Sequence, residues 1–166
     1  MFMIFGSPRS GTTLLKEALC QNPDITIPHE TDFIIPLAFL VDRIKNPEIG
    51  RRLISEMIVS TNDFSPSIGR FLSPIEVGEI VNRSPYSLGG ILTELYREIA
   101  IKSYSSIAGD KSPNDLGFAG ILRKAGLFDS GVKFIHIVRD IRDVILSLKR
   151  TRWAPRDIDT FFPRIW

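Results

Sequence analysis

The chain has 166 residues, enough for one domain with a sizeable core. Hydrophobic residues make up 43% and charged residues 24%, the balance of a soluble globular protein rather than a disordered one. A formal net charge of +2 argues against bulk nucleic-acid binding, and a single cysteine, Cys20, excludes an internal disulfide. The charge is uneven: residues 133–166 carry eight Lys/Arg against four Asp/Glu, so the C-terminal part is the more basic. A solvated basic face and a site for an anionic ligand both explain that bias.

In chain order, residues 2–5 form a short apolar run before glycine, the pattern of a buried parallel strand. Residues 12–21 predict a helix stopped by Asn22-Pro23, with Leu14, Leu15, Ala18, Leu19 and the Cys20 thiol on its buried face. A second strand is expected at 25–27, then helices at 32–45 and 47–60, divided by Asn46-Pro47. Ser73-Pro74-Ile75-Glu76 is a capping box that opens a helix running to about Asn82. A longer helix is expected over 84–104, weakened by Gly89-Gly90, and a third strand at 106–108. Residues 114–125 predict a helix ended by Gly126. The run VKFIHIV at 132–138 is the clearest buried strand, with His136 expected in the core. A last helix covers 141–150, with Ile141, Val144, Ile145 and Leu148 on one face.

Alternating strands and helices predict an α/β fold with a parallel sheet. The helical insert at about 32–104 is expected to cap the sheet edge or roof a ligand cleft. The longest apolar run, 33–41, is broken by Pro36 and is too short to span a bilayer. With no leader at the N-terminus, the expected location is cytoplasmic. His29 and His136 lack cysteine neighbours, so no metal site is expected.

The segment FMIFGSPRSGTTLL at 2–15 is a strand, a glycine-bounded loop and a helix start. Such a turn aims several backbone N–H groups at one point, where a phosphate fits. Gly6 and Gly11 have the spacing of the Walker loop, but Thr12 stands where that loop has lysine. Gly6 and Gly11 also suit a plain tight turn. Three more segments fall at strand ends, where open α/β sheets bind ligands: His29-Glu30-Thr31, Asp110-Lys111-Ser112-Pro113 and Arg139-Asp140. Together they offer an anion cradle, three cations (Arg9, Lys111, Arg139) and the carboxylate of Glu30.

PRSGTTLL at 8–15 resembles the 5′-phosphosulfate-binding loop of the sulfotransferases, and FIHIVRDIRDVILS at 134–147 resembles their 3′-phosphate-binding segment. DKSP at 110–113 is similar to the family's lysine-bearing strand end. Glu30, twenty-one residues after Arg9, matches the catalytic glutamate of the protein-tyrosine and related bacterial branches. The resemblance implies a three-layer, P-loop-like α/β fold. It implies transfer of a sulfuryl group from 3′-phosphoadenosine 5′-phosphosulfate (PAPS), without a metal, to a hydroxyl or amine. The acceptor class, whether small molecule, glycan, lipid or peptide, is not legible. It also implies roles. Arg9 contacts the 5′-phosphosulfate; Ser10, Gly11, Thr12 and Thr13 cradle the 5′-phosphate; Arg139 and Ser147 hold the 3′-phosphate; Lys111 neutralises the leaving phosphate. Glu30 takes the acceptor's proton, with the neighbouring His29 as the alternative base.

Other roles remain open for the same residues. Arg139 has helical spacing to Asp143 and suits an ion pair with it. Glu30 suits a cap on the following helix. If every residue from Arg139 to Ser147 were helical, the two would stand about 12 Å apart along the axis, too far to share one phosphate. A turn is therefore expected at 139–142, with the helix starting near Arg142. The family's C-terminal glycine- and lysine-bearing loop has no counterpart before Trp166, so the expectation is a single domain, 1–166, truncated at its C-terminus. The aromatic tail (Trp153, Phe161, Phe162, Trp166) is expected to continue into packed structure. The rival functions are a P-loop phosphotransferase or nucleotide hydrolase, with Thr13 on Mg²⁺, and a non-catalytic nucleotide-binding remnant.

Overall fold

The computed structural model describes residues 1–151, the side chain of Leu116 excepted; the aromatic tail lies outside the described residues. Four strands, β1 (Phe2–Gly6), β2 (Ile25–Thr26), β3 (Ile107–Lys111) and β4 (Lys133–Ile137), form a parallel sheet in the order β2-β3-β1-β4. The helices are α1 (Thr12–Leu19), α2 (Ile34–Arg43), α3 (Pro47–Ser60), α4 (Pro74–Arg83), α5 (Leu88–Lys102), α6 (Ala119–Lys124) and α7 (Ile141–Leu148), with 3-10 turns at Ile68–Arg70 and Pro113–Phe118.

The two faces of β1 explain the layers. Side chains alternate along a strand. Phe2 and Ile4 pack with Ile27 and with Leu15, Leu19 and Cys20 on the α1 side. Met3 and Phe5 point the other way, into the main core with Phe33, Leu37, Ile54, Leu92 and Tyr96. The insert between β2 and β3 therefore forms a layer over one sheet face, which corrects the expectation of an edge cap. Two of its helices, α3 and α4, start where the sequence says they should. The Asn46 side chain accepts from the backbone N–H of Glu48 (3.0 Å) and Ile49 (3.4 Å), and Pro47 follows at the first helical position. Ser73 and Glu76 close the predicted capping box on α4. Pro36 sits in the first turn of α2, where a missing N–H interrupts no helical bond.

Five expectations change. Ser87, not Ser84, caps α5; its hydroxyl accepts from Gly90 N–H (3.1 Å), so Gly89-Gly90 lie in the first turn rather than mid-helix. The 114–125 segment is a 3-10 turn followed by the short α6. β3 runs three residues further than expected, to Lys111. On α1, Leu14 is 76% exposed and Ala18 is exposed too, because the sheet side of the helix is filled by Leu15, Leu19 and Cys20. β4 is the last strand of the described sheet, so Ile135 and His136 are exposed rather than buried in the core.

Candidate functional site

Parallel strands end together, and that edge collects the site. Register pairs Ile4 with Lys111 and Gly6 with Ile137, so the loops after β1, β3 and β4 leave the sheet side by side. β1 is central, between strands reached by connections that run to opposite sides. Ligands of open α/β sheets bind at such a switch point.

The loop after β1 is built by two glycines. A Cβ on Gly6 would fall 2.7 Å from Ser10 Oγ and 3.0 Å from the Ile137 carbonyl, so only glycine lets the loop fold back here. Gly11, with φ +104°, takes the left-handed conformation at the N-cap of α1. It offers no side-chain cap, and the first-turn N–H groups have no partner within the helix. Beside them lies the buried Ser10 hydroxyl, also without a hydrogen-bond partner. Thr12 is buried and Thr13 exposed. An uncapped helix start, its positive dipole end and an orphaned hydroxyl fit an anionic oxygen cluster such as a phosphate.

Arg9 connects this loop to the far end of the site. Its φ of +68° is left-handed in a residue with a Cβ, at a cost of about 1–2 kcal/mol. Arg9 Nε donates to Ser147 Oγ (3.0 Å), and Arg139 Nη1 donates to the Arg9 carbonyl (3.1 Å). Arg139 precedes α7 and Ser147 lies in its last turn. The expected turn exists, but the helix begins at Ile141, with Asp140 as N-cap accepting from Arg142 N–H (2.9 Å). The Arg142 guanidinium at 2.6 Å and that same cap bond hold the Asp140 carboxyl down at about 2. Arg139 also pairs with Asp143 (3.7 Å). The structure thus joins Arg9, Arg139 and Ser147, which the family resemblance assigns to opposite ends of a nucleotide.

Glu30 and Lys111 form an ion pair, with the lysine side chain 7% exposed and the glutamate 42%. Lys111 is held by the sheet; Glu30 reaches it from the loop after β2. His29, beside it, is exposed, and its carbonyl accepts from Ser67 Oγ (2.8 Å).

Beneath this pair is a polar network that sequence reasoning did not find. Buried Asp110 accepts hydrogen bonds from Thr31 Oγ1 (3.1 Å), Ser112 Oγ (2.5 Å) and the Tyr96 hydroxyl. Burial pushes the Asp110 carboxyl up, against the pull of Ser112, Tyr96, Thr31 and Lys111. Burial and the Asp110 charge together push the Tyr96 hydroxyl well above its usual range. Asp115, in the 3-10 turn, is pushed up to about 8 by burial first and then by the like charges of Asp110, Asp32 and Glu30; its Oδ2 is buried and unpartnered. Asp32 is raised by its hydrogen bond to Asp63, by burial and by the Asp63 and Glu30 charges. The one sequence signal for the network is an aspartate inside the mostly buried strand IAGDK; nothing marks Tyr96 on the apolar face of α5.

Among the described residues, no group of three or more His, Cys, Asp or Glu is placed to hold a metal ion. No described helix is long and apolar enough to cross a membrane.

Comparison with known proteins bears on the family and the fold. No curated protein sequence matches the chain. Among solved structures, the sulfotransferase domain of the Synechococcus PCC 7002 olefin synthase is similar, with 25% identity and a TM-score of 0.52. The match covers 90% of this chain and 52% of that one, so the chain spans about half the length of its structural relative. The profile of the sulfotransferase family matches residues 2–162, which takes in the glycine-bounded loop, the Glu30–Lys111 pair and the Arg139–Ser147 segment. On that match, the chain belongs to the sulfotransferase family.

Proposed function

We propose that the chain binds 3′-phosphoadenosine 5′-phosphosulfate and transfers its sulfuryl group to a hydroxyl or amine acceptor. The observation that carries the proposal is the Glu30–Lys111 pair beside a phosphate loop that has Thr12 in place of the Walker lysine. In-line transfer needs a base for the acceptor's proton and a cation for the oxygen that leaves. The pair would supply both at the end of adjoining strands.

The donor supplies an electrophilic sulfur on a phosphate leaving group. Ser10 Oγ and the first-turn N–H groups of α1 would receive the 5′-phosphate. Arg139 and Ser147 would hold the 3′-phosphate, the arginine through charge-assisted hydrogen bonds. Arg9, already bonded to Ser147, would swing toward the sulfuryl oxygens or stay as the tie between the two ends. The Glu30 carboxylate takes the acceptor's proton as the new S–O (or S–N) bond forms. The bond from sulfur to the bridging phosphate oxygen breaks, and Lys111 neutralises the charge left on that oxygen. A positioned base contributes about 10²–10⁴-fold and a single electrostatic donor about 10²–10³-fold. Glu30 is preferred to His29 because it, and not the exposed histidine, contacts Lys111.

Calorimetric titration with 3′-phosphoadenosine 5′-phosphate tests the binding half of the proposal. Saturable binding, tighter than that of adenosine 5′-phosphate, is expected; no binding at millimolar nucleotide overturns it.

A further inference from the structure

We infer that Asp110 is a positioning residue that fixes the Glu30–Lys111 pair from below, through the hydroxyls of Thr31, Ser112 and Tyr96. The inference rests on the sulfotransferase proposal only for the use made of the pair; the positioning itself is a matter of this chain's own contacts.

Asp110 and Lys111 are neighbours on β3, so their side chains leave opposite faces of the sheet. Fixing one fixes the other's strand position. Asp110 is 1% exposed and is met from three elements. Tyr96 comes from α5, Ser112 from the turn after β3, and Thr31 from the loop that carries Glu30. That loop is tied twice more: Ser112 Oγ reaches the Thr31 carbonyl (3.5 Å) and Ser67 Oγ donates to the His29 carbonyl (2.8 Å). The residues on both sides of Glu30 are therefore held, and its carboxylate meets Lys111 with little backbone freedom. A buried carboxylate is a poor way to stabilise a core, because its desolvation consumes most of what its bonds return. Three hydroxyls gathered on one such carboxylate, directly under an ion pair from the same two segments, point to alignment as its use.

The test compares wild type with Thr31→Val, Thr31→Ser and Tyr96→Phe. The first readout is acylation of Lys111 by an amine-reactive ester, followed by peptide mass, which needs no activity. Loss of one hydrogen bond to a charged acceptor is worth about tenfold or more. Thr31→Val should therefore raise Lys111 labelling about tenfold over wild type. Thr31→Ser, which keeps the hydroxyl, should restore it to within about twofold. Tyr96→Phe should move it in the same direction as Thr31→Val, and it keeps the test decisive if the valine variant does not fold. The second readout is kinetic: kcat about tenfold lower in Thr31→Val, with KM for the donor within about twofold. Unchanged labelling in both hydroxyl-less variants overturns the inference. So does an equal rise in Thr31→Ser, which would assign the effect to packing. A wild-type chain that binds no 3′-phosphoadenosine 5′-phosphate would instead overturn the functional proposal, and the labelling result would still decide the positioning.

Discussion

Replacing Asp115 by asparagine probes the electrostatics under the site with a sign that can be worked out in advance. In the folded chain this carboxyl is held at about 8, by burial and by the charges of Asp110, Asp32 and Glu30. In the unfolded chain it ionises near 3.8. Between those values the folded state keeps a proton that the unfolded state has lost, so stability falls as pH rises. Each pH unit in the window is worth about 1.4 kcal/mol, which gives about 4 kcal/mol between pH 4 and pH 7 as a ceiling. Solvent screening at a partly accessible side chain brings this to about 2–4 kcal/mol. The asparagine amide cannot ionise and can donate to the carboxylates that face it. Asp115→Asn should therefore raise the melting temperature at pH 7 by about 5–15 °C, taking about 2–4 °C per kcal/mol for a chain of this size. At pH 4, where Asp115 is protonated in the folded chain, the two proteins should melt within about 2 °C of each other. Thermal melts at half-unit pH steps are the assay. Parallel curves for wild type and variant, or a gap that widens toward low pH, would refute the reasoning.

Three further outcomes are expected. Arg139→Ala should weaken 3′-phosphoadenosine 5′-phosphate about 10–100-fold and adenosine 5′-phosphate by less than about threefold, because a charge-assisted bond to one phosphate is lost; equal losses would show that Arg139 does not read the 3′ end. Glu30→Gln should lower turnover about 10²–10⁴-fold and leave nucleotide affinity unchanged by calorimetry; rates near wild type would remove Glu30 as the base and return attention to His29. Ser73→Ala opens the capping box of α4 and should cost about 1 kcal/mol, a fall of about 2–4 °C in a thermal melt with no change in nucleotide binding.

What the sequence revealed follows from how local each signal was. Gly6, Gly11, Asn46-Pro47 and Ser73 act on their immediate neighbours, so the glycine-bounded loop and the starts of α3 and α4 could be read directly. Strand propensity alone ends β3 too early, because glycine and aspartate are depleted in strands. Asp110 is kept in its strand by hydroxyls from Tyr96 and Thr31, which lie 14 and 79 residues away and leave no local trace. VKFIHIV is as apolar as a central strand, and periodicity alone does not say whether a neighbour will cover it; the exposure of Ile135 and His136 is a property of sheet order. For the site, Arg9, Glu30, Lys111 and Arg139 stand out as candidates at strand ends, and Ser147, inside the last helix, only through the family resemblance. Their pairing does not: that Arg9 would bond to Ser147, and Glu30 to Lys111, depends on which loops become neighbours.

The central claim is sulfuryl transfer, and the most direct measurement is the fate of a labelled sulfuryl group. The chain would be incubated with radiolabelled 3′-phosphoadenosine 5′-phosphosulfate and a panel of hydroxyl and amine acceptors, with magnesium and ATP in a parallel arm. The account predicts label moving to at least one acceptor, with stoichiometric release of 3′-phosphoadenosine 5′-phosphate and loss of both in Glu30→Gln. Turnover of ATP with the sulfated donor left intact would contradict it.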